Sequence, residues 1–363
     1  MKEAPEIRLA LPGKGALEAA TLAFLAECGM KVNRSNPRQY LARIGSMPGI
    51  EVVFQRAADI PTLVQDGDAT LGITGYDILA EHRGHGDEDD DEDSDDDDLM
   101  VLERDLGYGS CRLVVAVPET WIDVTTCADL WHLAGYYMTQ KGRGLRIATK
   151  YPILTGQFLR RHGITHCKLV SPHGALEAAP LTDTADLIVD LTETGTTLRE
   201  NHLKLLEDGT VLRSQSCLVA NARLLQQRKE ALHAASIMLE LIEARMQARN
   251  RSMLTAHMQV ANAEEIQRIR EQLKARVKGF EFRIASSNGY ENNDSNVQQG
   301  ISYSHSLSGI VNVGSKTTEL LEAVAVLRSL GATHIDITPL TYRFEKESMS
   351  VRSLHERLKR VRS

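Results

Sequence analysis

Short, nearly unbroken apolar runs recur through residues 1–220, at 7–11, 50–54, 70–74, 111–117, 145–149, 168–171 and 187–191, and most stop at a glycine, a proline or a polar turn. Such runs are too short for globular helices, and they lack the strict alternation of a strand with one wet face. They have the form of strands buried on both sides, which is the habit of parallel sheets covered by helices. Helical stretches lie between most of them, such as residues 15–28 before Gly29 and residues 153–162 before Gly163, where the glycines suit helix ends. This alternation predicts an α/β architecture of mostly parallel sheets, with ligands at the carboxyl ends of the strands.

After position 220 the pattern changes. Leu225, Leu232, Leu239 and Met246 fall seven apart, with Ala235 and Ile242 between them, which predicts one linking helix over 221–250 with an apolar seam. A coiled-coil contact between chains stands beside the core-helix reading. Beyond it come a strand (252–260), a helix (263–275), a strand (279–285), a polar loop (286–300), a strand (302–313), a helix (316–330) and a strand (333–340). That βαββαβ order over 251–345 is ferredoxin-like. In the tail, 346–363, Val351, Leu354, Leu358 and Val361 keep helical spacing, and the Arg and Lys residues read as a solvated face rather than a nucleic-acid arm.

One segment dominates the net charge of −7. Residues 87–98, DEDDDEDSDDDD, hold eleven of the 49 carboxylates; the other 38 face 42 Lys and Arg, a balance of +4. The acidic run repels itself and is expected to be a disordered, solvated insert. The mildly basic remainder suits a phosphate-rich ligand without demanding one. Cys28, Cys111, Cys127, Cys167 and Cys217 form no C-x-x-C pair and have no zinc-ligand spacing, so they read as reduced, mostly buried thiols. No run nears the ~20 apolar residues of a membrane span, and the apolar stretch near the N-terminus is too short for a secretory signal. The cytoplasm is the expected compartment, with neither membrane nor nucleic acid as partner.

The segment 185–199, ADLIVDLTETGTTLR, carries the chemistry. A buried strand ends at Asp190 and Leu191, and a Thr/Gly-rich turn leads into a helix starting near Thr197. A helix N-terminus offers unpaired N–H groups and the positive end of its dipole. Gly195 lets the backbone approach a ligand, and Thr194, Thr196 and Thr197 add hydroxyl donors, so the turn suits one terminal phosphate. A plain turn with a threonine cap is the competing reading. The Walker pattern is absent, which argues against a P-loop hydrolase. Two further turns share the strand-then-glycine position, one at Pro12, Gly13, Lys14 and Gly15, the other at the end of Leu71–Gly75.

Taken in order, LPGKGAL (11–17), RAADIP (56–61), LGITG (71–75), DLGYGSCRL (105–113), RIATKYP (146–152) and DLTETGTTL (190–198) resemble the ATP phosphoribosyltransferase family over roughly residues 5–220. The resemblance implies a two-lobed catalytic part like the type II periplasmic binding proteins, with 1–104 and 191–220 in one lobe, 105–190 in the other, and the active site in the cleft. For the long form of the family it implies that the ferredoxin-like domain is regulatory and binds histidine; 319–340 is its most family-like stretch. The implied reaction joins adenine N1 of ATP to C1 of phosphoribosyl diphosphate, the first step of histidine biosynthesis, in a dimer or hexamer of identical chains. Mg2+ is expected mainly on the substrate diphosphate.

By the same resemblance, Thr192, Glu193, Thr194, Gly195, Thr196 and Thr197 hold the 5-phosphate, Asp190 and Glu193 bind ribose hydroxyls, and Lys14 and Arg56 face phosphates of phosphoribosyl diphosphate. Arg38, Gly75, Asp105, Lys150, Tyr151 and Glu177 are the ATP-side candidates, with Tyr151 placed to stack on adenine. No covalent nucleophile is implied, because holding two polyanions in line and stabilising the leaving charge is a matter of orientation and electrostatics. The chain also departs from the family. Ala16 stands where Arg is usual and Ala175 where Ser is usual, and neither the insert at 87–98 nor the loop at 286–300 matches. A non-catalytic or regulatory homologue and a small-ligand-binding protein of the same two-lobed fold are the alternative readings.

Overall fold

The computed structural model describes residues 7–36, 38–84, 98–171, 174–260, 264, 267–269, 271–272, 281–286, 303–312 and 317–360. The acidic insert up to position 97 and the polar loop after Ser286 lie outside the described residues. The chain divides into two compact units, 1–240 with 349–363, and 241–348.

The first unit holds two sheets. Its first lobe begins with β1 (Ile7–Pro12), α1 (Gly15–Glu27), β2 (Val32–Asn33), β3 (Leu41–Ile44) and β4 (Met47–Gln55). It continues through α2 (Ile60–Gln65), β5 (Leu71–Gly75), α3 (Tyr76–Arg83) and β6 (Leu99–Glu103). The chain then crosses to a second lobe with β7 (Cys111–Pro118), α4 (Cys127–Lys141), β8 (Leu145–Thr149), α5 (Pro152–Arg161) and β9 (Cys167–Val170). β10 (Leu187–Thr192), α6 (Thr196–Glu200) and β11 (Leu203–Ser214) follow, and β12 (Ser216–Asn221) returns to the first sheet. The strand orders are β2-β3-β4-β1-β5-β12-β6 and β11-β7-β10-β8-β9.

As the apolar runs predict, β4, β1 and β5 are parallel, and so are β10, β8 and β9. β12 and β7 run antiparallel to their neighbours. The reason is geometric: a chain crossing directly between lobes arrives at the carboxyl ends of the parallel strands and must run back down them. Ser216 accordingly pairs with Gly75 at the end of β5, and Arg112 with Thr192 at the end of β10. Both crossings and the carboxyl ends of both parallel sets share one region, the cleft between the lobes.

The register moves one expected boundary. β11 pairs with β7 from Leu203 to Ser214, so the return to the first lobe falls at Gln215 and not at 191. β11 is an edge strand, bulged and mixed in polarity, and it carries none of the unbroken apolar signature of the strands beside it. β7 shows the opposite case. Leu113, Val115 and Val117 pack with Leu130, Ala134, Leu154 and Phe158, whereas Val114 and Ala116 pack with Leu176, Ala179 and Leu198 on the other face. Each such Leu, Val or Phe contributes about 1.5–3 kcal/mol by leaving water.

The single helix expected over 221–250 is two helices. α7 (Ala222–Gln227) is capped by Asn221, whose side chain accepts the Leu224 N–H at 2.8 Å, and α8 (Lys229–Ala248) follows after Arg228. Ala231, Ala235, Met238 and Ile242 form a fully buried stripe along α8, while Leu232 and Met246 are only part-buried. The seven-residue spacing from Leu225 therefore spans a break at Arg228, although Leu225 and Leu239 of the predicted seam are buried.

The second unit, by itself, has β13 (Arg251–Val260), β14 (Glu281–Ser286), β15 (Tyr303–Asn312), α9 (Thr317–Ser329) and β16 (Ala332–Pro339). Its antiparallel order is β14-β15-β13-β16, and helical residues at 264, 267–269 and 271–272 lie between β13 and β14. Leu254, Ala256 and Met258 pack with Ile269 and Leu327. The tail forms α10 (Met349–Arg360) and belongs to the first unit, where Arg357 donates to the Val101 carbonyl of β6 at 2.6 Å. Among the described residues no helix is long and apolar enough to cross a membrane.

Candidate active site

Three strands of the first lobe end side by side. Pro12 pairs with Gln55 and Ala10 with Gly72, so the turns after β1, β4 and β5 are neighbours. The Gly13 N–H donates to the Gln55 carbonyl at 2.7 Å and the Thr74 hydroxyl to the Ala57 carbonyl at 2.9 Å, which ties the turns together. Lys14 is exposed at the N-cap of α1, Arg56 is exposed before the one-turn 3-10 helix Ala57–Asp59, and Gly75 is the buried N-cap of α3. Ala16 is exposed in the first turn of α1. Arg38 is exposed in the loop before β3, and the Tyr40 carbonyl accepts the Phe54 N–H at 2.9 Å, so this loop adjoins the same end of β4. Arg34, which sequence reasoning passed over, pins that loop. It donates to Glu18 at 2.5 Å and to the Gln39 carbonyl at 2.9 Å, and its guanidinium lies 3.8 Å over the Phe54 ring.

In the second lobe β10 delivers the Thr/Gly-rich turn. The buried Thr192 accepts the Gly195 N–H on its hydroxyl at 2.8 Å, so that amide is used inside the turn. The Thr194 and Thr196 hydroxyls bond each other at 2.9 Å. Gly195 has φ +78°, and the nearest atom to an added Cβ is Leu205 Cδ1 at 3.9 Å; the backbone conformation, not lack of room, calls for glycine. The Thr196 N–H reaches Thr194 Oγ1 at 3.4 Å, so the outward donors are the N–H groups of Thr197 and Leu198, which have no intrahelical carbonyl to bond. Glu193 is exposed beside them.

Asp190 is half-buried, and its Oδ1 accepts the Leu191 N–H at 2.8 Å. Burial raises its pKa, Glu177 adds to the rise and Lys150 opposes it. Lys150 is exposed after β8, and Glu177 lies in the 3-10 turn Leu176–Ala178. Ala175 is exposed at the N-cap of that turn. Asp105 is exposed in the first crossing and accepts the Gly107 N–H at 2.7 Å, shaping the link between lobes.

Tyr151 joins the lobes. Its ring packs on the core of the second lobe, and its hydroxyl donates to Asp77 Oδ2 of α3 at 2.6 Å. Asp77 is 4% exposed; its other oxygen accepts the Ser214 hydroxyl at 2.6 Å, and its N–H donates to Ser214 Oγ at 2.8 Å. Burial, and then the Asp77 charge, push the Tyr151 phenol far up, so it stays a donor. One helical turn on, Glu81 accepts the N–H groups of Ile153 and Leu154 at 2.8 and 2.9 Å and so caps α5 from the other lobe. Burial, then Asp77, push the Cys111 thiol up to about 11, and Glu193 adds to the rise. That thiol, at the start of β7, lies between the inter-lobe bonds and the turn. In the sequence Asp77 reads only as an acid in a helix's first turn, and its place after LGITG is the one available signal.

A family model described as HisG: ATP phosphoribosyltransferase matches residues 56–248. ATP phosphoribosyltransferase 2, chloroplastic, of Arabidopsis thaliana is 37% identical over 344 residues, which is 94% of this chain and 78% of that protein. ATP phosphoribosyltransferase of Brucella melitensis biotype 2 is 45% identical over 219 residues, 60% of this chain and 90% of that protein. A solved ATP phosphoribosyl transferase (HisG:HisZ) complex from Thermotoga maritima is 28% identical with a TM-score of 0.47, covering 65% of this chain and 98% of that one. At that degree of overlap it adds nothing to the strand orders given above.

Proposed function

This chain belongs to the ATP phosphoribosyltransferase family, and from that premise we propose how its residues carry out the transfer of a phosphoribosyl group to ATP. The reaction is the first step of histidine biosynthesis. Adenine N1 bonds to C1 of the phosphoribosyl group, the bond from C1 to the diphosphate oxygen breaks, and its electron pair leaves with diphosphate. Positive charge builds on the sugar carbon and negative charge on the leaving group, so the protein's task is alignment and electrostatic stabilisation.

The observation that supports this reading best is the turn at the end of β10, which sets outward amides beside the half-buried Asp190 at the mouth of the cleft. The 5-phosphate is received by the amides of Thr197 and Leu198 and by threonine hydroxyls of the turn. Asp190 and Glu193 accept from ribose hydroxyls, and Lys14 and Arg56 face the phosphates. Tyr151, held in one orientation by Asp77, offers its ring to adenine, with Arg38, Gly75, Asp105, Lys150 and Glu177 around the nucleotide. The described clusters of three metal-ligating side chains, Cys127, His162 and Asp208, and His257, His334 and Asp336, do not include residues of this turn. The carboxylates of Asp190 and Glu193 nevertheless suit a Mg2+ carried on diphosphate, a hard cation that keeps few protein ligands. Held there by Asp190 and Glu193, it would supply positive charge to offset the charge that builds on the leaving diphosphate.

A coupled assay for phosphoribosyl-ATP tests the reading; product from ATP, phosphoribosyl diphosphate and Mg2+, lost on Lys14→Ala with Arg56→Ala, is the expected result. Ala16 and Ala175 favour one alternative, a non-catalytic regulatory homologue. Tight binding of phosphoribosyl diphosphate with no diphosphate released would decide for it.

The second unit is the proposed histidine-binding regulator, and a rise in Tm with histidine tests this. A dimer or hexamer of identical chains is proposed from the resemblance, to be read by light scattering. For the compartment we propose the cytoplasm, supported by five free thiols that suit reducing conditions. Two relatives are chloroplastic, so cell fractionation is the test.

A further inference from the structure

A second group of donors lies within the second lobe. Cys127 opens α4, His162 follows α5 and Asp208 lies inside β11; Sγ, an imidazole nitrogen and a carboxylate oxygen all lie within 4.8 Å of one another. Ligands of a four-coordinate ion, at bond lengths of about 2.0–2.3 Å, stand roughly 3–4 Å apart. Small side-chain rotations close that difference.

Local structure aims all three groups. β11 leaves its ladder with β7 between Leu205 and Thr210, and a bulge of this kind re-aims side chains. The Glu207 N–H donates to the Thr125 carbonyl at 2.9 Å and docks the bulge on the start of α4. Asp208 Oδ1 accepts the Cys127 N–H at 2.8 Å, and Cys127 Sγ lies 3.8 Å from the Asp208 carbonyl oxygen. Gly209 completes the bend, since a Cβ there would come within 2.7 Å of Leu206 Cβ. The His162 ring lies against Phe158, with centroids 4.4 Å apart, which restricts its plane. Cys127 closes one side at 1% exposure. On the other side His162 and Asp208 line a cavity of about 540 Å³ between α5 and β11, together with Arg161 and Arg213.

We propose that Cys127, His162 and Asp208 form a site for a zinc-type divalent cation, with its fourth position turned to the cavity. One sulfur, one nitrogen and one oxygen donor suit Zn2+. They do not suit Mg2+, which takes oxygen, so this site is separate from any metal on the diphosphate. Binding releases the thiol proton to solvent and requires no electron transfer. The bond from the Cys127 N–H holds the Asp208 carboxylate in place, as outer partners of ligating carboxylates do. The ion clamps α4, α5 and β11 of one lobe together.

The test uses the full chain, stripped with chelator, dialysed and titrated with Co2+ and then Zn2+. Wild type should show a thiolate-to-Co2+ charge-transfer band that saturates at one ion per chain and is displaced by Zn2+, and Zn2+ should raise its Tm. Cys127→Ser should abolish the band, and His162→Gln and Asp208→Asn should weaken binding roughly 10-fold or more. The cluster of His257, His334 and Asp336 contains no thiol, so removing both histidines should leave the band unchanged. If Cys127→Ser fails to fold, His162→Gln, at an exposed position, carries the test. Co2+ uptake by wild type without the band, or a band indifferent to His162→Gln and Asp208→Asn, overturns the proposal.

Discussion

Replacing Tyr151 by Phe removes one hydroxyl from the contact between the lobes while keeping the ring that packs on the core. The change isolates the 2.6 Å bond to Asp77. Asp77 is buried, and its other oxygen keeps the Ser214 hydroxyl, so the carboxylate goes from two O–H donors to one. A hydrogen bond to a charged group contributes about 1.5–3 kcal/mol. In a unit of this size each kcal/mol moves Tm by about 2–4 °C, so the variant should melt roughly 3–12 °C lower. Ser214→Ala removes the second donor, and the double variant should depart from additivity by about 0.5–3 kcal/mol, because both changes act on one carboxylate. The alkaline limb gives an independent readout. The folded pKa of Tyr151 lies above the unfolded value of about 10, so above that pH the unfolded chain loses its proton first and stability falls as pH rises. Tyr151→Phe should flatten part of that limb. Melts of the four proteins from neutral to alkaline pH test the reasoning. A Tyr151→Phe Tm within about 1 °C of wild type, far less than the bond implies, together with an unchanged limb, refutes it.

Asp186, with 6% of its side chain exposed, meets Arg143 at 2.6 Å and Arg146 at 3.0 Å. Burial pushes its carboxyl up, but the two guanidinium groups outweigh burial and hold it well below the usual carboxylate range. Its contribution is thus present above the unfolded pKa of about 3.9 and lost as pH falls; Asp186→Asn should be less stable at neutral pH and show a shallower acid limb in melts. Gly195→Ala puts a side chain at φ +78° without a clash, so strain of about 1–2 kcal/mol should lower Tm slightly while KM for phosphoribosyl diphosphate rises; an unchanged KM would count against the turn as the phosphate site. Ala16→Arg, at an exposed position two residues past Lys14, should lower that KM several-fold at low salt and less at high salt, as a screened charge contact does. Equal KM values at low salt would remove position 16 from the substrate's path.

The α/β layering and the strand, glycine turn and helix at 187–200 were legible in the residues themselves. Unbroken runs such as Cys111–Val117 can be satisfied only between two layers, and φ near +78° at position 195 calls for glycine whatever surrounds it. These are local requirements, and local order records them. The heptad over 221–250 missed a break because spacing cannot see the stop at Arg228, and the boundary that the resemblance implied at 191 went uncorrected because an edge strand of mixed polarity such as β11 gives no apolar signal. What joins Asp77 to Tyr151, 74 positions apart, and Cys127 to Asp208, 81 apart, is the double crossing and the bulge of β11. Such pairs leave no periodicity and share no motif. They meet because strand register decides which side chains face each other, and register is a property of the folded sheet.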